Sequence, residues 1–355
     1  MTRSNTATVR KSNEYLLELE SLVLPKRTNG FGYASVFCGG GGLDLGFAAA
    51  GFKPLFSSDV IPAFCDTIHQ NLTKHITEAH DINELSGGEV LSRLDSKIDV
   101  VIGGPPCQSF SILGSRKSTN DPRGKLVYEY ARFIKEIGPK AFLFENVPGI
   151  LTVNKGKDWQ ELLAFFESET GYHIKWTKLN AVWFGVPQIR QRVVAVGFRD
   201  KDASARFEWP ERKYSESWEK PELGLLPARQ SGLAFEAIAS LPNHILRVHS
   251  ERVATRYSEI PPGDRDRKDH TDRVHPKRPS GTVLVGSGAG GGRPFIHPRE
   301  HRHITVREAA RLQSFPDWWV FAGGPTSAYR QVGNAVPPLM AKAVAHAIAK
   351  ALNKK

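Results

Sequence analysis

Between residues 31 and 198, short apolar runs alternate with stretches of helical period, a rhythm that few folds can accommodate. Strands are expected at Tyr33–Phe37, Pro54–Ser57, Asp99–Ile102, Ala141–Phe144, Ile174–Leu179 and Val193–Phe198. Helices are expected at Asp44–Ala50, Ala63–Leu72, Tyr128–Ile137 and Trp159–Glu169. Apolar runs alternating with amphipathic helices predict a doubly wound, parallel α/β sheet. Such a sheet binds its ligands at the carboxyl ends of its strands. After Asp200 the texture changes. Residues 201–303 are rich in Pro, Gly, Arg and His with weak periodicity, and predict a second, smaller, irregular domain. Helical period returns at Thr305–Gln313 and Pro338–Leu352. The Gly286–Gly292 run reads as a flexible loop. Before the sheet, Tyr15, Leu16, Leu19 and Leu22–Val23 predict one short helix in an N-terminal extension.

Four stretches carry residues suited to chemistry. Asp99–Ser111 reads D-V-V-I-G-G-P-P-C-Q-S-F-S. It is a short strand, a glycine turn, two prolines that stiffen the backbone, and then Cys107. A thiol on a rigid turn at a strand end suits covalent catalysis. A buried small hydrophobe is the other reading of a free cysteine. Phe142–Gly149, F-L-F-E-N-V-P-G, ends a buried strand on Glu145, where desolvation can raise the carboxyl pKa enough to carry a proton. Gly185–Gly197, G-V-P-Q-I-R-Q-R-V-V-A-V-G, places Arg190 and Arg192 at alternate positions entering a strand, from which one could grip a carbonyl oxygen or pair with Glu145. Phe37–Gly46, F-C-G-G-G-G-L-D-L-G, follows a strand and opens a helix, where free amides and bare backbone suit an anionic ligand. It does not fit G-x-G-x-x-G, which disfavours a nicotinamide reading. Asp59, ending the next strand, suits a ribose diol, and Asp81-Ile82 suits an adenine edge.

These stretches, in this order, resemble the motifs of the DNA (cytosine-5) methyltransferases, and the resemblance spans Tyr33 to Leu352. It includes D-P-R-G-K-L at Asp121–Leu126, T-V-R-E-A-A-R-L-Q-S-F-P at Thr305–Pro316 and Q-V-G-N-A-V-P-P at Gln331–Pro338. The resemblance implies an S-adenosylmethionine-dependent, Rossmann-like α/β enzyme with an irregular target-recognition domain. Its catalytic residues would be Cys107 as nucleophile, Glu145 at cytosine N3, Arg192 at O2 and Arg190 in support. The methyl donor would lie against Phe37, Gly39, Gly41, Gly42, Asp59, Val60, Asp81, Ile82, Gly104, Pro106, Leu126, Asn334 and Ala335. Residues 109–125 would close over a flipped base. Asp59 stands where the family more often has Glu, and Val60 where it often has a bulkier side chain. The implied layout is an extension over 1–29, a catalytic domain over 30–200, target recognition over 201–325 and a returning segment over 326–355.

Charge agrees with a polyanionic partner. The chain carries a formal +11, and His244–His303 holds twelve Arg or Lys against seven Asp or Glu. That local bias favours a nucleic-acid surface over an evenly solvated exterior, and the resemblance implies double-stranded DNA as that partner. A tRNA cytosine and a catalytically silent DNA reader are the competing readings. His297, His301 and His303 lie close in sequence, but the arginine-rich setting without cysteine argues against zinc. With three unpaired cysteines, no signal-like N-terminus and no apolar run long enough to span a bilayer, a cytoplasmic monomer acting on nucleoid DNA is expected. A cognate restriction endonuclease is the expected functional partner.

Overall fold

Alternate residues of the central strands point to opposite faces, and both faces are buried. Tyr33, Val100, Ile102, Leu143, Val194 and Val196 belong to one apolar cluster, while Ala34, Val36, Val101, Phe142, Phe144, Val193 and Ala195 belong to another. A strand whose neighbouring residues are all apolar needs a cover on each side, and helices supply it. The computed structural model describes residues 13–22, 27–106, 122–285 and 295–353.

Helix α1 (Glu14–Glu20) leads into β1 (Gly32–Val36) and α2 (Gly42–Ala49), then β2 (Lys53–Asp59), α3 (Pro62–Asn71), β3 (Ile76–Ala79) and α4 (Gly87–Ser92). Next come β4 (Val100–Gly103), α5 (Pro122–Ile137), β5 (Ala141–Asn146), α6 (Lys157–Thr170), β6 (His173–Asn180), β7 (Gln191–Phe198) and α7 (Lys201–Arg206). The seven strands form one sheet in the order β3-β2-β1-β4-β5-β7-β6. The strands β1 to β5 pair in parallel, as expected. β7 departs from the parallel sheet, running antiparallel to both β5 and β6. The reason is local: residues 181–190 link β6 to β7 without a crossover helix, and a short connection can join only antiparallel strands. Strand β3 had no apolar run to announce it, because I-T-E-A lies half-exposed at the sheet edge.

Helix α1 is not a free extension. Tyr15, Leu16 and Leu19 join the first apolar cluster, and the Asn13 side chain bonds the Leu233 carbonyl (3.0 Å) and Glu236 (2.8 Å). The Tyr15 hydroxyl donates to the Arg311 carbonyl, and Glu18 pairs with Arg229.

Beyond α7 the described residues are largely irregular, with a 3-10 turn at Ser231–Phe235, α8 (Glu251–Ser258) and the two-residue strands β8 (Arg265–Asp266) and β9 (Thr271–Asp272) before α9 (Val306–Leu312). Helices α10 (Pro325–Asn334) and α11 (Pro338–Leu352) follow. A third apolar cluster joins Leu45 and Ile68 of the sheet-covering helices to Phe235, Val274, Val283, Phe295, Leu312 and Trp319. The irregular region therefore shares its core with the helices beside the glycine turn. Among the described residues no helix is long and apolar enough to cross a membrane.

Candidate active site

The carboxyl ends of β1, β2, β4 and β5 gather at one edge of the sheet. The end of β1 turns sharply: Phe37 adopts a left-handed φ of 57°, Gly39 55° and Gly41 77°. A left-handed phenylalanine is uncommon, and such backbone clusters at ligand sites. Phe37 stays half-buried and meets Tyr130 edge-on at 6.3 Å between ring centroids. Gly41 caps α2, and a Cβ there would strike Trp319 and Ile68 at 2.5 Å. At Gly39 a Cβ would meet nothing nearer than 3.9 Å, so this backbone faces open space.

Asp59 turns back onto this loop. Its Oδ2 accepts the Gly39 amide (3.1 Å) and its Oδ1 the Ile61 amide (3.0 Å). Burial raises its pKa, against the pull of the Ile61 and Gly39 amides and the Arg330 guanidinium. A half-buried carboxylate held by two amides keeps further lone pairs, which suits a diol. Val60 beside it is 62% exposed, open to anything laid on the edge. Asp81 Oδ1 accepts the backbone amide (2.9 Å) and side chain (2.7 Å) of Asn83. The Ile82 side chain is buried in the second cluster, so what it can offer a ligand is its backbone. Leu126 packs half-buried against the same cluster. From the far end of the chain, Ala335 is buried and Asn334 exposed at the end of α10, with the Val336 carbonyl pressed onto Gly42.

The catalytic candidates meet at the next strands. Glu145 stands near the end of β5, buried, with Oε1 2.8 Å from Arg192 Nε. The antiparallel course of β7 makes this possible: its first residues lie beside the last residues of β5, with Asn146 opposite Val193. A parallel strand would have put Arg192 at the opposite edge of the sheet. Burial raises the Glu145 pKa, while Arg192 and Arg190 pull it down without cancelling the rise. Gly104 approaches so closely that a Cβ there would lie 2.8 Å from Glu145 Oε2. The Asn146 side chain donates to the Pro105 carbonyl at 3.0 Å, fixing the turn that ends at Pro106. The next residue, Cys107, lies outside the described residues, as does most of the expected closing loop over 109–125.

Arg190 and Arg192 have different partners. Arg190 is fully buried and donates to the Val283 (3.2 Å) and Gly333 (2.7 Å) carbonyls, tying distant segments together. Asn146 and Arg330 are further candidates without an assigned role in the sequence reading. Arg330 helps line a pocket of about 450 Å³ with Ile61, Phe64 and Ser327. For Asn146 the neighbouring Glu145 was a signal, but its partner is a backbone carbonyl 41 residues away.

Part of the local basic excess is consumed internally. Arg256 pairs with Asp266 and Asp269, Arg265 with Asp272, and Arg302 with Glu308. Arg247, Arg252, Arg267 and Lys268 remain exposed. His297 and His303 pack as neutral hydrogen-bonding groups. His297 Nδ1 accepts the Glu300 amide (2.9 Å) and His303 Nε2 meets the Tyr257 hydroxyl (2.8 Å), with burial pushing both pKa values down to about 4. Among the described residues no group of three or more His, Cys, Asp or Glu could hold a metal.

Comparison with known proteins bears on this geometry. The family model for C-5 cytosine-specific DNA methylases matches residues 31–350. The Type II methyltransferase M1.HphI of Haemophilus parahaemolyticus is 38% identical, covering 90% of this chain and 86% of its own. M.NgoFVII of Neisseria gonorrhoeae, also a Type II methyltransferase, is 36% identical over 86% and 82%. Among solved structures, an E. coli prophage-encoded protein described as a DNA modification methyltransferase superposes with a TM-score of 0.71 at 26% identity, covering 92% of this chain and 100% of that one.

Proposed function

The chain belongs to the C-5 cytosine-specific DNA methylase family and is a DNA (cytosine-5) methyltransferase, and we propose that it methylates a flipped cytosine in a specific duplex sequence through a covalent Cys107–C6 adduct. The family and the Rossmann-like fold go with S-adenosylmethionine as donor. The edge of the sheet suits that molecule: Gly39 is open, Asp59 offers carboxylate lone pairs and Val60 an exposed apolar side chain. S-adenosylmethionine brings a methyl group on a sulfonium, which cytosine C5 is too weakly nucleophilic to take unaided. Phe37, Gly39, Gly41, Gly42, Asp59, Val60, Asp81, Ile82, Gly104, Pro106, Leu126, Asn334 and Ala335 form its proposed binding set.

The observation that carries the reading is the buried Glu145–Arg192 pair beside the Gly104–Pro106 turn. The Cys107 thiolate adds to C6 and makes C5 enamine-like. Glu145, its pKa raised by burial, delivers a proton at N3, and the Arg192 guanidinium holds O2. Once C5 carries the methyl group and S-adenosylhomocysteine is released, loss of the C5 proton to water would expel the thiolate and restore the C5–C6 double bond, and the N3 proton would return to Glu145. Residues 30–200 would do this chemistry, 201–325 would read the target, and 326–355 would return to the donor site. The naming of the relatives supports a role as the modifying partner of a restriction endonuclease. We assign it to the cytoplasm, acting as a monomer on nucleoid DNA.

A 5-fluorocytosine duplex tests the mechanism, because its C5 carries no proton to lose. The enzyme should stall as a heat-stable adduct on a denaturing gel, only with S-adenosylmethionine present, and Cys107→Ser should abolish the band and nearly all turnover. A band with the Cys107→Ser protein would move the nucleophile elsewhere, and no band with the parent would sink the covalent route.

A further inference from the structure

Four segments that the sequence keeps far apart are joined by one closed circuit of hydrogen bonds. Gln188 and Gln313 are both fully buried. Gln188 Nε2 donates to Gln313 Oε1 (2.7 Å) and to the Leu312 carbonyl (3.1 Å), while its Oε1 accepts the Val283 amide (3.1 Å). Gln313 Nε2 in turn donates to the carbonyls of Val332 (2.9 Å) and Ala335 (3.0 Å). Arg190 closes the ring through Val283 and Gly333. Both donors of each amide are engaged, so neither amide can rotate without setting donor against donor.

We infer that Gln188 and Gln313 are positioning residues that couple the methyl-donor site to the target-recognition segment. This inference rests on the donor and DNA sites proposed above. At one end of the circuit, Ala335 and the Val336 carbonyl press on Gly42 of the glycine loop. At the other end, Val283 leads through Leu284 and Val285 into the irregular region, and Val285 itself packs on Gly333. A shift of residues 283–285 on DNA is therefore passed to 332–335 and on to the loop that faces the donor. The same hydrogen bonds carry the effect in reverse. Arg190 adds a branch to the chemistry, since its charge acts on Glu145.

The test is a coupling measurement on the full chain. The affinity for S-adenosylhomocysteine is measured by calorimetry with and without a duplex bearing the site mapped by bisulfite sequencing of host DNA. Duplex affinity is then measured with and without S-adenosylhomocysteine, and linkage requires the same factor both ways. For the parent the factor should fall in the usual range of about 5- to 150-fold. In Gln313→Met and Gln188→Met it should collapse to within about twofold of unity, with each ligand alone bound within about threefold of the parent. Gln313→Asn, one methylene shorter and still polar, gives a milder variant should the Met proteins not fold. A purely structural pair would lower the melting temperature and leave the factor intact, which overturns the inference alone. A parent that binds no S-adenosylhomocysteine would overturn the inference and the functional reading together.

Discussion

Asp44 lies under the glycine loop, fully buried, and accepts the hydroxyls of Ser35 (3.0 Å) and Ser57 (2.9 Å). Burial pushes its pKa up to about 6, and the two serines oppose that rise only in part. A carboxyl whose folded pKa exceeds its unfolded value binds more protons when folded. Its stabilising contribution is complete below about pH 4, the unfolded pKa, and is lost as pH rises through 6. In Asp44→Asn that pH dependence disappears while one serine can still donate to the amide oxygen. Denaturant melts of parent and variant should show the variant gaining about 1–2 kcal/mol on the parent between pH 5 and pH 8. A constant difference across that range would show that Asp44 does not titrate there. Glu145 has the same sign for the same reason, but it is offset by two arginines and stands where its proton has a use.

Between elements, one tight constraint is the crossing of α2 and α11. A Cβ on Gly46 would lie 2.3 Å from the Cβ of Ala341 and 2.7 Å from the Lys342 backbone nitrogen. Alanine improves helix propensity over glycine by roughly 0.5–1 kcal/mol. Overpacking costs about 1–3 kcal/mol, and here backbone cannot swing aside as a flexible side chain would. Gly46→Ala should therefore destabilise the protein, read as a fall in the urea midpoint with an unchanged slope. An unchanged midpoint would show that the two helices can separate freely. This contact was not legible in the sequence, where Gly46 reads as part of a ligand loop. The helix α11 itself was legible to the residue, because P-P-L-M-A-K-A-V-A-H-A-I-A-K-A-L joins a proline start to an unbroken run of good helix formers. At α9 the capping box of Thr305 and Glu308 sets the start, and Arg302 grips Glu308 through both oxygens.

For the whole molecule, recognition is proposed for residues 201–325, and an exchange of its irregular part, 201–303, tests it. Replacing it with the segment from a relative of different specificity should move the methylated sequence, read by bisulfite sequencing. A folded, active chimera that still marks the parental site would place recognition elsewhere. The third cluster limits how the exchange is made. Phe235, Val274, Val283 and Phe295 pack with Leu45 and Ile68, so a graft must keep apolar residues there or lose the fold with the specificity. Helix α1 adds a second limit, since Asn13 and Glu18 bond into 229–236.

The sequence by itself determined the alternation of strands and helices, the glycine turn after β1, and the order in which Cys107, Glu145 and Arg192 occur. These are local properties: period, turn chemistry and short motifs are written over a few residues each. It did not determine the reversal of β7, which follows from a connection that lacks a crossover and which brings Arg192 to Glu145. Nor did the residue pattern alone separate Arg190, locked on Val283 and Gly333, from Arg192, since both look alike at alternate positions and only the family resemblance gave them different roles. The Gln188–Gln313 ring was equally illegible, because its partners are 95, 124 and 125 residues from Gln188 and several are backbone groups, which leave no trace in residue identity.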